Sequence, residues 1–278
     1  MSLLPVEERL GRLVRHHLPP ALSEFVMFGL KQGWACLFGG LLLALLILTR
    51  LVWDPGWALA RYDALLIAAL VLQGLFLALR LESWAEARVI VLFHVSGTVM
   101  EIFKVEMGSW SYPDPGLAKI AGVPLFSGFM YASVGSYMAR VIRIFDMRFT
   151  GYPPFWWTVL LAAAIYLNFF THHFIIDARW GLVAASLVVF WHCRIRYRPD
   201  RMALQMPLVL AALLSAVFLY LAENIGTLTG TWVYAGQAGF HFASLDKFGS
   251  WYLLLYVSFV QVSLVVRDAL EPRVPGRA

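Results

Sequence analysis

Charge is scarce in this chain: Asp, Glu, Lys and Arg together make up 14% of its 278 residues. A water-soluble domain carries about 25%, so a fully solvated surface is excluded. Cysteine is nearly absent too. Cys36 and Cys193 are the two thiols. No C-x-x-C spacing exists and both fall toward the expected cytoplasmic side, so a disulfide framework is not indicated. Both read as small apolar core residues. A cleaved leader is not expected either. Residues 1–20 are charged and end in Pro19-Pro20, and no small-residue cleavage site follows the first apolar run.

What is abundant is apolar sequence: 60% of residues are hydrophobic and the mean hydropathy is +0.71. Runs near 32–50, 64–81, 87–104, 121–141, 155–175, 180–194, 206–223 and 248–267 are expected as membrane helices, the sixth being short. Lipid offers open backbone groups no partner, so the spans must be helical. A membrane barrel needs alternating polar residues, which Leu41 to Leu48 lacks. The expected fold is all-α: one polytopic transmembrane helical bundle over 1–278, of about eight helices. The first helix extends back to Ser23 as its cap. Residues 1–22 form a cytoplasmic basic amphipathic segment, with Val6, Leu10, Leu13 and Val14 on one face and Arg9, Arg12 and Arg15 on the other. Residues 268–278 form a cytoplasmic tail.

Lys and Arg set the direction. Sixteen fall in one set of segments: the N-terminal region, the loops with Arg80 and Arg88 and with Arg140, Arg143 and Arg148, the cluster Arg194 to Arg201, and the tail with Arg267, Arg273 and Arg277. Six fall in the other: Arg50, Arg61, Lys104, Lys119, Arg179 and Lys247. Both termini are therefore expected inside. The net charge of +5 speaks of topology and headgroup contact, not nucleic acid.

One pattern recurs. Met100-Glu101-Ile102-Phe103 leads into Gly108-Ser109-Trp110-Ser111-Tyr112, and Ala222-Glu223-Asn224-Ile225 leads into Gly230-Thr231-Trp232-Val233-Tyr234. Glu, Gly, a small hydroxyl residue, Trp and Tyr all match at one offset of 122 residues. The matches divide the chain into repeats at 23–143 and 144–267. Four helices in each half make these parallel repeats. Helix entry near Ala87 and Met206 puts Glu101 roughly 21 Å and Glu223 roughly 26 Å along. Both therefore sit near the outer edge of a hydrocarbon core about 30 Å thick. Ionisable groups there usually face the bundle interior. Trp110, Tyr112, Trp232 and Tyr234 can return over the helix ends to line a shared polar site, or serve as plain interfacial anchors.

Other polar residues collect on the same side. His172 and His173 close the fifth helix, Asn168 shares a face with His172, and Asp177 begins the next turn. His94 lies two turns below Glu101 on the same face, and His241 is in the last outer loop. Histidines and carboxylates together can relay protons or hold a metal. The metal reading stays open but lacks motif support. There is no H-E-x-x-H and no His-x3-His on one helix, and seven histidines are too few for the set used by membrane di-iron hydroxylases. The adjacent His172 and His173 can meet one ion only if the helix ends there. The candidate catalytic groups are Glu101, Glu223, His94, His172 and His173; the candidate substrate contacts are Trp110, Tyr112, Trp232, Tyr234, Asn168 and Asp177. The cofactor is unknown from the sequence.

Several stretches carry a family resemblance: His94-x-x-Gly97-Thr98-x-Met100-Glu101-x-Phe103-Lys104-Val105, Gly108-Ser109-Trp110-x-Tyr112-Pro113, Gly122-Val123-Pro124-Leu125-Phe126-Ser127-Gly128-Phe129-Met130-Tyr131, Asn168-Phe169-Phe170-Thr171-His172-His173 and Ala222-Glu223-Asn224-Ile225-Gly226-Thr227. These resemble the bacterial membrane family called domain of unknown function 817. The resemblance implies a multi-pass protein of the bacterial inner (cytoplasmic) membrane and carries no reaction. A glutamate followed by Gly and an aromatic-x-Tyr loop is also similar to small membrane proteins of carotenoid biosynthesis, the bacterial lycopene-cyclase type and the carotenoid hydratases. That likeness implies protonation of a polyene by a buried carboxylic acid, although the acidic pairs of those cyclases are absent here. Three functions stand open: an enzyme on a lipid or isoprenoid in the outer leaflet, a small-solute or proton-coupled transporter, and a structural or partner-binding membrane protein.

Overall fold

The computed structural model describes residues 4–235 and 242–270. His241, Arg273 and Arg277 lie outside the described residues. α1 (Leu4–His17), α2 (Pro20–Ala35), α3 (Leu37–Val52), α4 (Arg61–Ala78) and α5 (Trp84–Glu106) come first. α6 (Phe126–Ile144), α7 (Phe155–Thr171), α8 (Arg179–Phe190), α9 (Leu208–Leu228) and α10 (Leu245–Val265) follow. Each expected hydrophobic run overlaps one helix from α3 to α10. By length and composition α4, α9 and Asp246–Val265 can cross a membrane, and α2 with α3 supplies a fourth candidate bent by 65° at Cys36. α7 and α8 are apolar but shorter.

Three features depart from the expectation. The first helix does not start at Ser23, which lies inside α2. Pro19 is the N-cap and Pro20 the first helical residue, where a missing N–H costs nothing. The chain is also not purely α-helical. The connections pair as short strands: β1 (Trp110–Ser111) with β7 (Val233–Tyr234), β2 (Lys119–Ile120) with β3 (Val123–Pro124), and β4 (Arg148–Thr150) with β5 (Arg194–Tyr197) and β6 (Leu204–Pro207). The β2–β3 hairpin delays the fourth expected helix, so α6 begins at Phe126 rather than near 121. Third, α5 and α9 run five residues past Glu101 and Glu223, so the glutamates lie inside helices, one turn and more before their ends.

α10 is the central helix: 61% of its span is buried, against 28% for α4 and 22% for α9. Its Tyr252, Tyr256 and Val260 pack with Phe93 of α5, Ala132 of α6, Ile165 of α7 and Phe190 of α8. α5 and α6 approach closely because small residues line their seam; a β-carbon on Gly135 would lie 2.7 Å from the Phe93 ring. α1 is helical, with Leu10 and Leu13 exposed on it.

Among the described residues the two sets of basic residues occupy opposite ends. Arg61 and Lys119 bond within the end that carries β1 and β7, and Arg179 bonds the first turn of α10 there. At the other end Arg15 meets Asp200 at 2.5 Å and Arg143 meets Glu86 at 3.0 Å. Also at that end, Glu82 and Arg140 form an ion pair at 2.7 Å with both side chains 0% exposed. Glu82 also accepts from Ser136 at 2.6 Å and Gln73 at 2.5 Å. Removing one partner of such a pair strands a buried charge. Arg140→Ala should therefore destabilise the fold by about 3–5 kcal/mol, read as a lowered Tm in detergent, with partial recovery when Glu82→Leu is added.

Candidate functional site

Both repeated motifs fold the same way. α5 ends at Glu106, and Gly108, at φ +66°, reverses the chain so that the Ser109 N–H donates to the Lys104 carbonyl at 2.9 Å. α9 ends at Leu228, and Gly230, at φ +61°, lets the Thr231 N–H donate to the Gly226 carbonyl at 3.0 Å. A left-handed residue after the last helical turn closes its free carbonyls, and glycine takes that conformation without strain. The loop then runs back over its own helix. Trp110 Nε1 and Tyr112 OH each donate to Glu101 Oε2 at 2.8 Å. Trp232 Nε1 donates to Glu223 Oε1 at 2.8 Å, and Tyr234 OH donates to the same oxygen. Each glutamate thus receives the indole nine residues on and the phenol eleven residues on.

The two loops then pair. β1 and β7 are antiparallel, with Trp110 opposite Tyr234 and Ser111 opposite Val233. The rings of Trp110 and Tyr234 meet edge to face at 6.0 Å. From α4, Arg61 donates to Thr231 Oγ1 at 3.1 Å and Tyr62 OH to the Thr231 carbonyl at 2.7 Å, fixing the second loop. The halves also differ. Tyr131 of α6 donates to Glu101 Oε1 at 2.6 Å, and no equivalent donor reaches Glu223 among the described residues. Trp232 lies flat on bare backbone at Gly226, where an added β-carbon would stand 1.8 Å from the indole. The equivalent position after Glu101 is Lys104, and Trp110 is only half-buried. Its ring and that of Tyr234 carry Lys247 Nζ at 4.9 and 4.1 Å from their centroids.

Glu101 and Glu223 are 3% and 6% exposed, yet the donors that meet them are neutral. The phenols of Tyr112 and Tyr234 are pushed above the usual tyrosine range by burial and then by the neighbouring glutamate charge, so both stay protonated donors. Both carboxylates line one cavity of about 980 Å³, at the upper end of the usual range for ligand pockets. Its wall combines the aromatic pairs and Trp251 with Lys104, Arg179 and Lys247, then continues over apolar side chains such as Leu219 and Met138.

Of the residues singled out from sequence, Glu101, Glu223, Trp110, Tyr112, Trp232, Tyr234, Asn168 and His172 line this cavity. His173 and Asp177 stand just behind it. The condition for His172 and His173 to meet is fulfilled, because α7 ends at Thr171. Their Nε2 atoms converge at 3.3 and 2.9 Å, and the group they meet is the Lys104 ammonium. His172 Nδ1 sits 2.8 Å from the Asn168 carbonyl. A carbonyl only accepts, so Nδ1 holds the proton and Nε2 accepts from Lys104. Asp177 is structural in its contacts: it accepts from Asn168 at 2.9 Å and pairs with Arg179 at 3.1 Å. His94 does not line this cavity. The α5–α6 seam closes over it, with Gly128 and Phe129 against its ring, although helical spacing alone puts it below Glu101. Among the described residues no three His, Cys, Asp or Glu side chains converge as a metal-binding group.

The contributors that sequence reading missed are Tyr131, Lys247, Lys104 and Arg61. The last three were counted as topology charges. A lysine one turn past a glutamate inside an apolar run was a usable signal for Lys104; nothing in the sequence pointed Tyr131 at Glu101.

With the geometry in place, comparison with known proteins decides the family. Residues 24–259 match the family described as Protein of unknown function (DUF817). The chain belongs to this family. It is 45% identical over 244 residues to the Uncharacterized protein YoaT of Bacillus subtilis (strain 168), covering 87% of this chain and 92% of YoaT. The family resemblance read from the glutamate, histidine and glycine stretches is therefore shown. Among solved structures, this DUF817 chain is similar to MvINS, a mycobacterial Insig homologue from Mycobacterium vanbaalenii, and to a cross-linked MvINS trimer. Each match has a TM-score of 0.49 at 13% identity, covering 69% of this chain and 98% of the other.

Two outcomes follow from this geometry. Gly226→Ala forces the Trp232 indole off the helix and should cost about 1–3 kcal/mol by overpacking, with a red shift of tryptophan emission as the ring meets water. The second concerns pH. Burial and then the Lys104 charge hold His172 below its ordinary 6.5, despite the opposing hydrogen bond to Asn168, and His173 is lowered in the same way by burial, Lys104 and His172. Below pH 6.5 the unfolded chain binds more protons, so stability should fall as pH drops through 6.5 toward the lowered folded values. His172→Asn should flatten that part of the Tm–pH curve.

Proposed function

We propose that this protein is an enzyme of the bacterial inner membrane that acts on a lipid or isoprenoid entering from the outer leaflet, with Glu101 and Glu223 as its acid and base. In this reading α3 to α10 all cross the bilayer, both termini are cytoplasmic, and two four-helix halves are parallel repeats meeting at β1 and β7. The pairing of Ser111 with Val233, its partner at the 122-residue offset, is the register a local twofold requires and supports that relation.

The observation that carries the proposal is the pair of clamped glutamates on one largely apolar cavity. Their roles divide by geometry. Both oxygens of Glu101 are engaged by three donors, so it suits the accepting, anionic role. Both donors to Glu223 fall on Oε1, which leaves Oε2 to carry a proton toward the cavity. Transfer of that proton to a double bond leaves a carbocation on the adjacent carbon. The faces of Tyr131 and Trp251 would stabilise it, and loss of a proton to Glu101 or addition of water would end the reaction. This is the chemistry implied by the likeness to carotenoid-biosynthesis membrane proteins.

Transport is the second reading, and one observation favours it: the cavity wall runs from the glutamates as far as Gln32 and Tyr137. Polar groups along that stretch, such as Ser133 and Ser215, are uncharged, which suits an apolar cargo better than an ion.

Native mass spectrometry of protein released from nanodiscs tests the proposal, comparing wild type with Glu101→Gln/Glu223→Gln. A lipid or isoprenoid mass should be retained by wild type, with a chemically altered form appearing over time, and the folded double variant should hold the unaltered mass alone. Bare protein in both samples would sink the embedded-substrate reading; an unaltered ligand in both would turn it toward transport.

A further inference from the structure

The cavity mouth separates its charges in an unusual way. The carboxylates of Glu101 and Glu223 accept from neutral indoles and phenols, whereas among the described residues no carboxylate touches the ammonium groups beside them. Lys104 is 5% exposed, and its partners among the described residues are two imidazoles. Lys247 rests on two aromatic faces, with no hydrogen-bond acceptor or carboxylate in contact among the described residues. Arg179, between them on the wall, is already taken by Asp177 at 3.1 Å and Asp246 at 3.5 Å. Two ammonium groups with no carboxylate in direct contact, on the wall of a largely apolar cavity, are costly unless a ligand completes them. An aromatic face lowers that cost but leaves the N–H donors unused.

Resting on the lipid-binding reading of the cavity, we propose that the ligand is an amphiphile with an acidic head, a carboxylate or a phosphate monoester. The head bridges Lys104 Nζ and Lys247 Nζ, and the chain runs inward past Tyr131 and Trp251. The indole and phenol donors are already committed to the glutamates, so the head's oxygens are met by the two lysines. A neutral alcohol of the same chain would leave both lysines unpaired.

Farnesyl phosphate, farnesol and inorganic phosphate, titrated separately into the full-length protein in neutral-lipid nanodiscs, test this. Wild type should bind farnesyl phosphate at least tenfold more tightly than farnesol and at least tenfold more tightly than inorganic phosphate. Lys104→Gln/Lys247→Gln should lose the advantage over farnesol while binding farnesol unchanged, which also shows that the variant is folded. Lys247→Arg should keep most of it. Equal affinity for farnesyl phosphate and farnesol in wild type would overturn the acidic head and leave the lipid cavity standing. Inorganic phosphate binding as tightly as the ester would overturn the amphiphile, since the chain would add nothing. Failure of both chain-bearing probes would overturn the lipid reading itself.

Discussion

Each buried glutamate accepts its hydrogen bonds from an indole and a phenol carried by the loop that follows its own helix. A carboxylate buried without donors would be costly. The rest of this end of the molecule is built to bring those donors back. α5 and α9 must stop soon after the glutamate, which Gly108 and Gly230 achieve by turning left-handed. The returning loops must hold still, and they do so by pairing with each other as β1 and β7 and by the grip of Arg61 and Tyr62 on Thr231. Because the loops lie over the helix ends, the space beneath them becomes a cavity with two acids in its wall.

The opposite end solves the same electrostatic problem by other means. Glu82 and Arg140 are wholly buried and neutralise each other directly, with Ser136 and Gln73 filling the remaining positions around the carboxylate. Such a pair is inert toward a ligand. At the cavity end the carboxylates and ammonium groups lie near one another without pairing, and that separation leaves acids, bases and cations available for chemistry. The contrast separates an end held by a direct ion pair from the end that carries the candidate site.

Much of this was legible in the chain. The Glu, Gly, Trp and Tyr matches at 122 residues are visible because a loop folding back on its own helix uses donors at fixed local spacing, so the clamp is written in consecutive residues. The dense hydrophobic runs were equally plain, among them the one at 206–223 that forms most of α9. Tyr131 was not, because it reaches Glu101 from a different helix, 30 positions away in sequence. His94 misled for the mirror reason: helical periodicity put it below Glu101, and packing of α6 at Gly128 and Phe129 removed it from the cavity. The glutamates seemed to end their helices because hydrophobic runs fade before hydrogen bonding does. The strands were hidden because pairings of two to four residues need no sustained alternating pattern.

Composition and local pattern alone determined that the chain is a helical membrane protein of its family, that its basic residues sort into two sets, and that two glutamates are each followed by a donor loop. Those properties depend on hydrophobic run length and on spacings within about a dozen residues. Only the tertiary structure decided that the two loops pair, that both acids share one cavity, that His172 and His173 close on Lys104, and that Lys247 lies over the aromatic pair. Each of those facts depends on where separate helices pack, and packing is set by shape complementarity across the whole bundle rather than by any one segment.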